Sequence, residues 1–158
     1  MFSIEAISAR TRPPIDRQIA ESWGGPYIAS RGALHDTRAH PGFAAIENGE
    51  AAGYVLYSIA DGECEITVLE SLRRNRGIGG ALVREVIRAA GEARCRRVWL
   101  VTTNDNIRAI RFYQRFGFAL RAVHIGAMDE ARRLKPRIPL LGDDDIPIQH
   151  EFEFEWSL

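Results

Sequence analysis

The chain has 158 residues, of which 46% are hydrophobic and 27% charged, and its formal net charge is zero. These proportions suit one globular domain with a real core and exclude a chain that is disordered over most of its length. The apolar runs, such as 54–60, fall far short of the roughly 18 residues of a membrane helix, and the first ten residues lack an apolar leader segment, so a cytoplasmic protein without membrane contact is expected.

Residues 2–7 alternate weakly and predict a first strand. Pro13-Pro14-Ile15-Asp16 opens a helix, because proline is tolerated where the first-turn N–H would be unpaired anyway, and Gly24-Gly25-Pro26 stops it. Residues 30–42 read as a short helix and loop. Segments 43–47 and 51–60 are predicted strands around Asn48-Gly49, and Asp61-Gly62 turns into a third, 63–69. Both dipeptides tolerate positive φ, so a three-stranded antiparallel meander is expected. Over 78–93, Leu82, Val83, Val86, Ile87 and Ala90 share one helical face, with Arg84, Glu85, Arg88 and Glu92 opposite. Gly91 lies inside that helix at a cost of about 1 kcal/mol relative to alanine. Segment 97–102 is nearly all apolar and predicts a central strand. A helix over 106–116, closing strands at 118–125 and 151–156, and a Pro- and Asp-rich connection that starts helically at 128–135 complete the chain.

Cys64 and Cys95 lack metal-site spacing and read as reduced, buried thiols. No metal is expected, and Asp143-Asp144-Asp145 reads as a polar turn. Lys135 is the only lysine among 21 bases. From 73 to 121 twelve arginines face three acids, while 39–72 and 142–158 each carry six acids and no base. A basic centre with acidic neighbours fits an anionic ligand and a cationic partner. Nucleic acid is not expected, since the net charge is zero and no nucleic-acid motif is present.

The chemistry concentrates in Arg73-Arg74-Asn75-Arg76-Gly77-Ile78-Gly79-Gly80, between a strand and a helix N-terminus. Glycines let the backbone approach a ligand, successive N–H groups can converge, and the helix end adds roughly half a positive charge. The predicted ligand is a phosphate or diphosphate. A P-loop is excluded because no Gly-Lys-Ser/Thr follows, and a dinucleotide fingerprint because Leu82 stands where a third glycine is needed.

Arg74, Gly77 and Gly79, followed by Asn106, Ala109, Phe112, Tyr113, Gly117 and Phe118, resemble the two signatures of the GNAT acyl-CoA N-acyltransferases. The resemblance is clear over 53–120. It implies a single α/β (α+β) domain over 1–158, with a mixed, largely antiparallel sheet of six to seven strands, about four helices, and 126–148 as a connection near the acceptor site. It implies an N-acetyltransferase that moves the acetyl group of acetyl-CoA directly to a primary amine on a small molecule or peptide. A homodimer, a non-catalytic acyl-CoA sensor and a longer acyl donor stay open.

Carried onto this sequence, the resemblance places the cofactor diphosphate on Arg74, Asn75, Arg76, Gly77, Ile78, Gly79 and Gly80. Backbone near Leu69 would receive the pantetheine arm and the thioester carbonyl, Asn106 would contact the cofactor arm, and Tyr113 would protonate the leaving thiolate. By spacing alone Tyr113 reads rather as a core residue next to Phe112 and Phe116, and Asn106 as a helix cap. Period two puts Glu63, Glu65, Thr67 and Leu69 on one strand face. Glu65 is the candidate base or amine anchor, in competition with Glu63, Glu70, Glu151, His124 and His150. Two departures from the family pattern bear on the acceptor: Asp145 replaces a glycine before Ile146-Pro147, and His150 stands where an acid is common.

Overall fold

The weak alternation at the start of the chain becomes β1 (Ser3–Ala6), and Pro13-Pro14 lie in the first turn of α1 (Arg12–Trp23). Gly24 ends α1 in the left-handed conformation, φ 74°. The computed structural model describes residues 1–158. The predicted short helix and loop at 30–42 is corrected. β2 (Tyr27–Ser30) and β3 (Ala33–Asp36) form a two-stranded hairpin of their own, followed by a 3-10 turn at Thr37–Ala39. Arg31 and Gly32, φ 48° and 75°, make the tight turn that the arginine concealed.

The meander forms as expected from β4 (Gly42–Glu47), β5 (Glu50–Ala60) and β6 (Glu63–Ser71), all antiparallel. Asn48 and Gly49 turn at φ 53° and 81°, Asp61 and Gly62 at 53° and 74°. β6 runs two residues beyond the predicted end, to Ser71. α2 (Ile78–Glu92) follows, then β7 (Arg97–Thr103), α3 (Ile107–Phe116), β8 (Ala119–His124), α4 (Ala127–Leu134) and β9 (Glu151–Ser157). One seven-stranded sheet has the order β1-β4-β5-β6-β7-β9-β8 and is mostly antiparallel, with four helices in the chain.

By internal contacts the chain divides into two compact units, 1–28 with 36–98 and 158, and 29–35 with 99–157. In the first, Ile15 and Ile19 of α1 pack with Ala44, Tyr54, Leu56 and Val68 on one sheet face. α2 buries Ile78, Leu82, Val83, Val86 and Ala90. Ile78, Leu82, Val83 and Val86 each contribute about 1.5–3 kcal/mol on burial, which outweighs the single Gly91 in the helix. Gly53 permits the close approach of α2: a Cβ there would lie 2.7 Å from Ile78 Cγ2.

The face assignment for β6 is overturned. Leu56 pairs with Val68 but Tyr57 with Ile66, so Thr67 is an extra residue, a β-bulge. Alternation restarts out of phase beyond it. Glu65 opposite Ser58, Val68 opposite Leu56 and Glu70 opposite Tyr54 share the α1 face, while Leu69 opposite Val55 looks toward α2.

In the second unit β8 and β9 are antiparallel, with Leu120 opposite Phe154. Phe112, Tyr113, Phe116, Phe118, Phe154 and Trp156 form a connected aromatic cluster with ring centroids 5.1–6.3 Å apart. Ile107, in the first turn of α3, is half exposed. Met128 and Ala131 of α4 pack on Ile148.

Candidate active site

The turn between β6 and α2 is shaped by its left-handed residues, Asn75 at φ 58° and Gly77 at φ 74°. Ser71 Oγ donates to the Arg73 carbonyl at 2.8 Å at its base. Gly77 is the N-cap of α2 and offers no capping side chain. Open space surrounds it, with nothing within 4 Å of the position a Cβ would take. The N–H groups of Ile78, Gly79 and Gly80 precede the first helical bond, Ala81 N–H to the Gly77 carbonyl at 3.1 Å, so they face outward for an acceptor. With the helix dipole behind them, their arrangement suits an anion.

The arginines divide into two groups. Arg74 is exposed at the apex. Arg76 Nη2 donates to Glu47 Oε1 at 2.7 Å, and Arg73 Nη1 to Glu47 Oε2. The basic turn therefore contains a buried counter-charge that the sequence did not reveal, since Glu47 lies 26 residues before Arg73. Arg84, on the polar face of α2, holds its Nη1 3.5 Å from the Cβ position of Gly80. Its place one turn after Gly80 was legible.

On β6, Leu69 is half-buried and Glu65 is 8% exposed. Glu70 accepts from the Tyr54 hydroxyl and, at 3.0 Å, from Ser22 Oγ. Glu63 is committed elsewhere: Arg97 and Arg96 lie 3.0 and 2.7 Å away and hold its carboxyl below the usual range. His40 was missed. Its Nδ1 is 2.8 Å from the hydroxyl of Thr67, the bulge residue, and Arg12 donates to its carbonyl at 2.6 Å.

In the second unit, Asn106 caps α3 by accepting from Ala109 N–H at 3.1 Å. Tyr113 is 6% exposed, edge-on to Phe118 and stacked on Phe154. Burial alone pushes its phenol well above the ordinary value. His124 Nε2 lies 3.0 Å from Glu153 Oε1. His150 accepts the Gly126 N–H on Nδ1 at 2.9 Å, so its neutral ring carries the proton on Nε2. Glu151 is 4% exposed. Asp143–Asp145 form a 3-10 turn, and no group of three His, Cys, Asp or Glu residues is arranged to hold a metal ion. Asp145 has φ 58°, a backbone state that suits the glycine of the family pattern. Cys64 and Cys95 are free and buried.

The model of the acetyltransferase (GNAT) family matches residues 7–118. The uncharacterized protein YdhI of Bacillus subtilis strain 168 is 43% identical over 136 residues, 85% of each chain. Among solved structures, IAA acetyltransferase from Bacillus cereus ATCC 14579 aligns over 100% of both chains with TM-score 0.74 and 16% identity. A GNAT family acetyltransferase from Elizabethkingia anophelis with acetyl-CoA bound aligns over 99% of this chain and 98% of that chain, with TM-score 0.73 and 18% identity. At those identities the structural likenesses establish the fold. No helix is long and apolar enough to cross a membrane.

Proposed function

The chain belongs to the acetyltransferase (GNAT) family, and on that premise we propose that it transfers the acetyl group of acetyl-CoA directly to a primary amine through a ternary complex. The observation that carries this reading is the uncapped N-terminus of α2, where Ile78, Gly79 and Gly80 offer backbone N–H groups beside an arginine-bearing turn. Those donors suit the diphosphate of the cofactor, with Arg74, Asn75 and Arg76 around it. The solved relative with acetyl-CoA bound supports the same co-substrate.

In the proposed reaction the amine nitrogen attacks the thioester carbonyl carbon, the C–S bond breaks, and the thiolate leaves with a proton from Tyr113. A backbone donor near Leu69 would stabilise the carbonyl oxygen as it becomes negative, an effect typically worth about 3 kcal/mol per donor. Asn106 would contact the cofactor arm with the part of its amide not used in capping. Glu65 is the proposed base or ammonium anchor. Its place on the sheet face opposite to Leu69 supports a division in which the cofactor is served from the α2 side and the amine from the α1 side. Glu65 and Glu70 on that face favour a cationic acceptor, on a small molecule or a peptide.

Calorimetry with acetyl-CoA, followed by thiol release with a panel of polyamines, aminoglycosides and peptide amines, tests the proposal. Binding with amine-dependent thiol release is expected. Absence of binding at millimolar acetyl-CoA overturns it, and binding with no turnover on any amine would make the chain an acyl-CoA sensor.

A further inference from the structure

We infer that Glu47 is the positioning residue of the phosphate turn, a buried carboxylate that orients Arg73 and Arg76 toward the bound anion. This rests on the reading of that turn as the acetyl-CoA diphosphate site.

Glu47 is the last residue of β4 and is 5% exposed. A carboxylate so placed persists only when its charge is matched. Its partners come mainly from one short segment: Oε2 receives Arg73 Nη1, Oε1 receives Arg76 Nη2 at 2.7 Å, and the Met1 ammonium lies 3.1 Å from Oε1. Arg73 and Arg76 bracket the exposed apex Arg74-Asn75, so the carboxylate closes the turn from beneath. Each guanidinium gives Glu47 one terminal nitrogen of its five-donor fork. The two side chains remain 37% and 50% exposed, leaving their other edges open to solvent. Asn75 and Gly77, both left-handed, sit inside or just beyond the bracket and lead into the uncapped α2 N-terminus.

Without Glu47, the cations at 73, 74 and 76 would repel one another with no buried counter-charge below them. The turn would then lose the shape that brings its N–H groups and guanidinium edges to one anion. The opposing view makes Glu47 a rival that withholds the arginines from phosphate. The two differ in sign: a positioning residue strengthens cofactor binding, and a rival weakens it.

The experiment is calorimetric titration of the full chain with CoA, which needs no acceptor. Glu47→Gln is expected to weaken CoA binding by about tenfold, the scale of one charge-assisted contact, and Glu47→Asp to restore part of the loss. Arg76→Gln should weaken binding in the parent chain but change it less than about twofold in the Glu47→Gln background, since the residues act as a unit. Unchanged or tighter binding by Glu47→Gln, or fully additive losses, overturns the inference while leaving the proposed function standing. A parent chain that does not bind CoA overturns both. Should Glu47→Gln fail to fold, Arg76→Lys keeps the charge and loses the fork: a loss of about fivefold or more supports orientation, and unchanged affinity overturns it.

Discussion

Glu65 and Leu69 lie four positions apart on β6 yet face opposite sides of the sheet, because Thr67 bulges out of the ladder between them. The first shares a face with Val68 and α1, the second with Val55 and α2. This separation predicts separable functions. Glu65→Gln should lower kcat/KM for the amine by about 10²–10⁴-fold if the carboxylate takes the ammonium proton, with acetyl-CoA affinity changed less than about twofold. Steady-state kinetics with each substrate varied in turn, beside cofactor titration, checks this. A parallel loss of cofactor affinity would remove the assignment.

Tyr113 is expected to behave differently. Its phenol is raised by burial, and Tyr113→Phe deletes the hydroxyl alone. The aromatic contacts with Phe118 and Phe154 survive. Stability should change by less than about 0.5 kcal/mol, while kcat falls about 100-fold or more if the phenol is the acid. Denaturant melts and kcat together separate that role from a purely structural one.

The two thiols set a pH dependence at the alkaline end. Burial pushes Cys64 from the ordinary 9.0 up to about 12 and also raises Cys95. Between those values the unfolded chain has released a proton that the folded chain retains, so stability is complete below pH 9 and falls as pH rises above it. Each thiol contributes a slope of at most about 1.4 kcal/mol per pH unit. Urea melts at pH 8.5, 9.5 and 10 should show the fall, and a Cys64→Ala, Cys95→Ala chain should flatten it.

The connection before β9 depends on a close approach. A Cβ on Gly142 would lie 1.9 Å from Asp105 Oδ2, and Asp143 N–H donates to that oxygen at 3.3 Å. Gly142→Ala must push the loop off Asp105, at a cost of about 1–3 kcal/mol. Hydrogen exchange should show faster opening of 142–148, with β4 to β6 unaffected.

Asp145 offers the opposite sign. Held at φ 58°, it occupies a conformation that glycine adopts freely. Asp145→Gly should raise stability by about 0.5 kcal/mol and Asp145→Val should lower it by about 1 kcal/mol or more. Thermal melts of the pair decide it.

Patterns that act over a few residues carried most of the architecture. Asn48-Gly49 and Asp61-Gly62 specify their turns because both residues tolerate positive φ wherever they stand. The 3.6-residue period of 78–93 specifies α2, and the glycines from 77 to 80 mark the open helix end, since each feature is a property of adjacent backbone. The same logic failed where Arg31 hid a left-handed turn, because arginine gives no turn signal.

What only the tertiary structure decided are relations between distant residues. The bulge at Thr67 follows from the pairing of β6 with β5 and from the need to bury Val68 with Ile15 and Ile19, and it leaves no mark in period two. Glu47 meets Arg73 and Arg76 across 26 and 29 residues of sequence, and His40 meets Thr67 across 27. Local chemistry chooses strand, turn or helix, whereas the partner of a buried charge is chosen by which elements the core brings together.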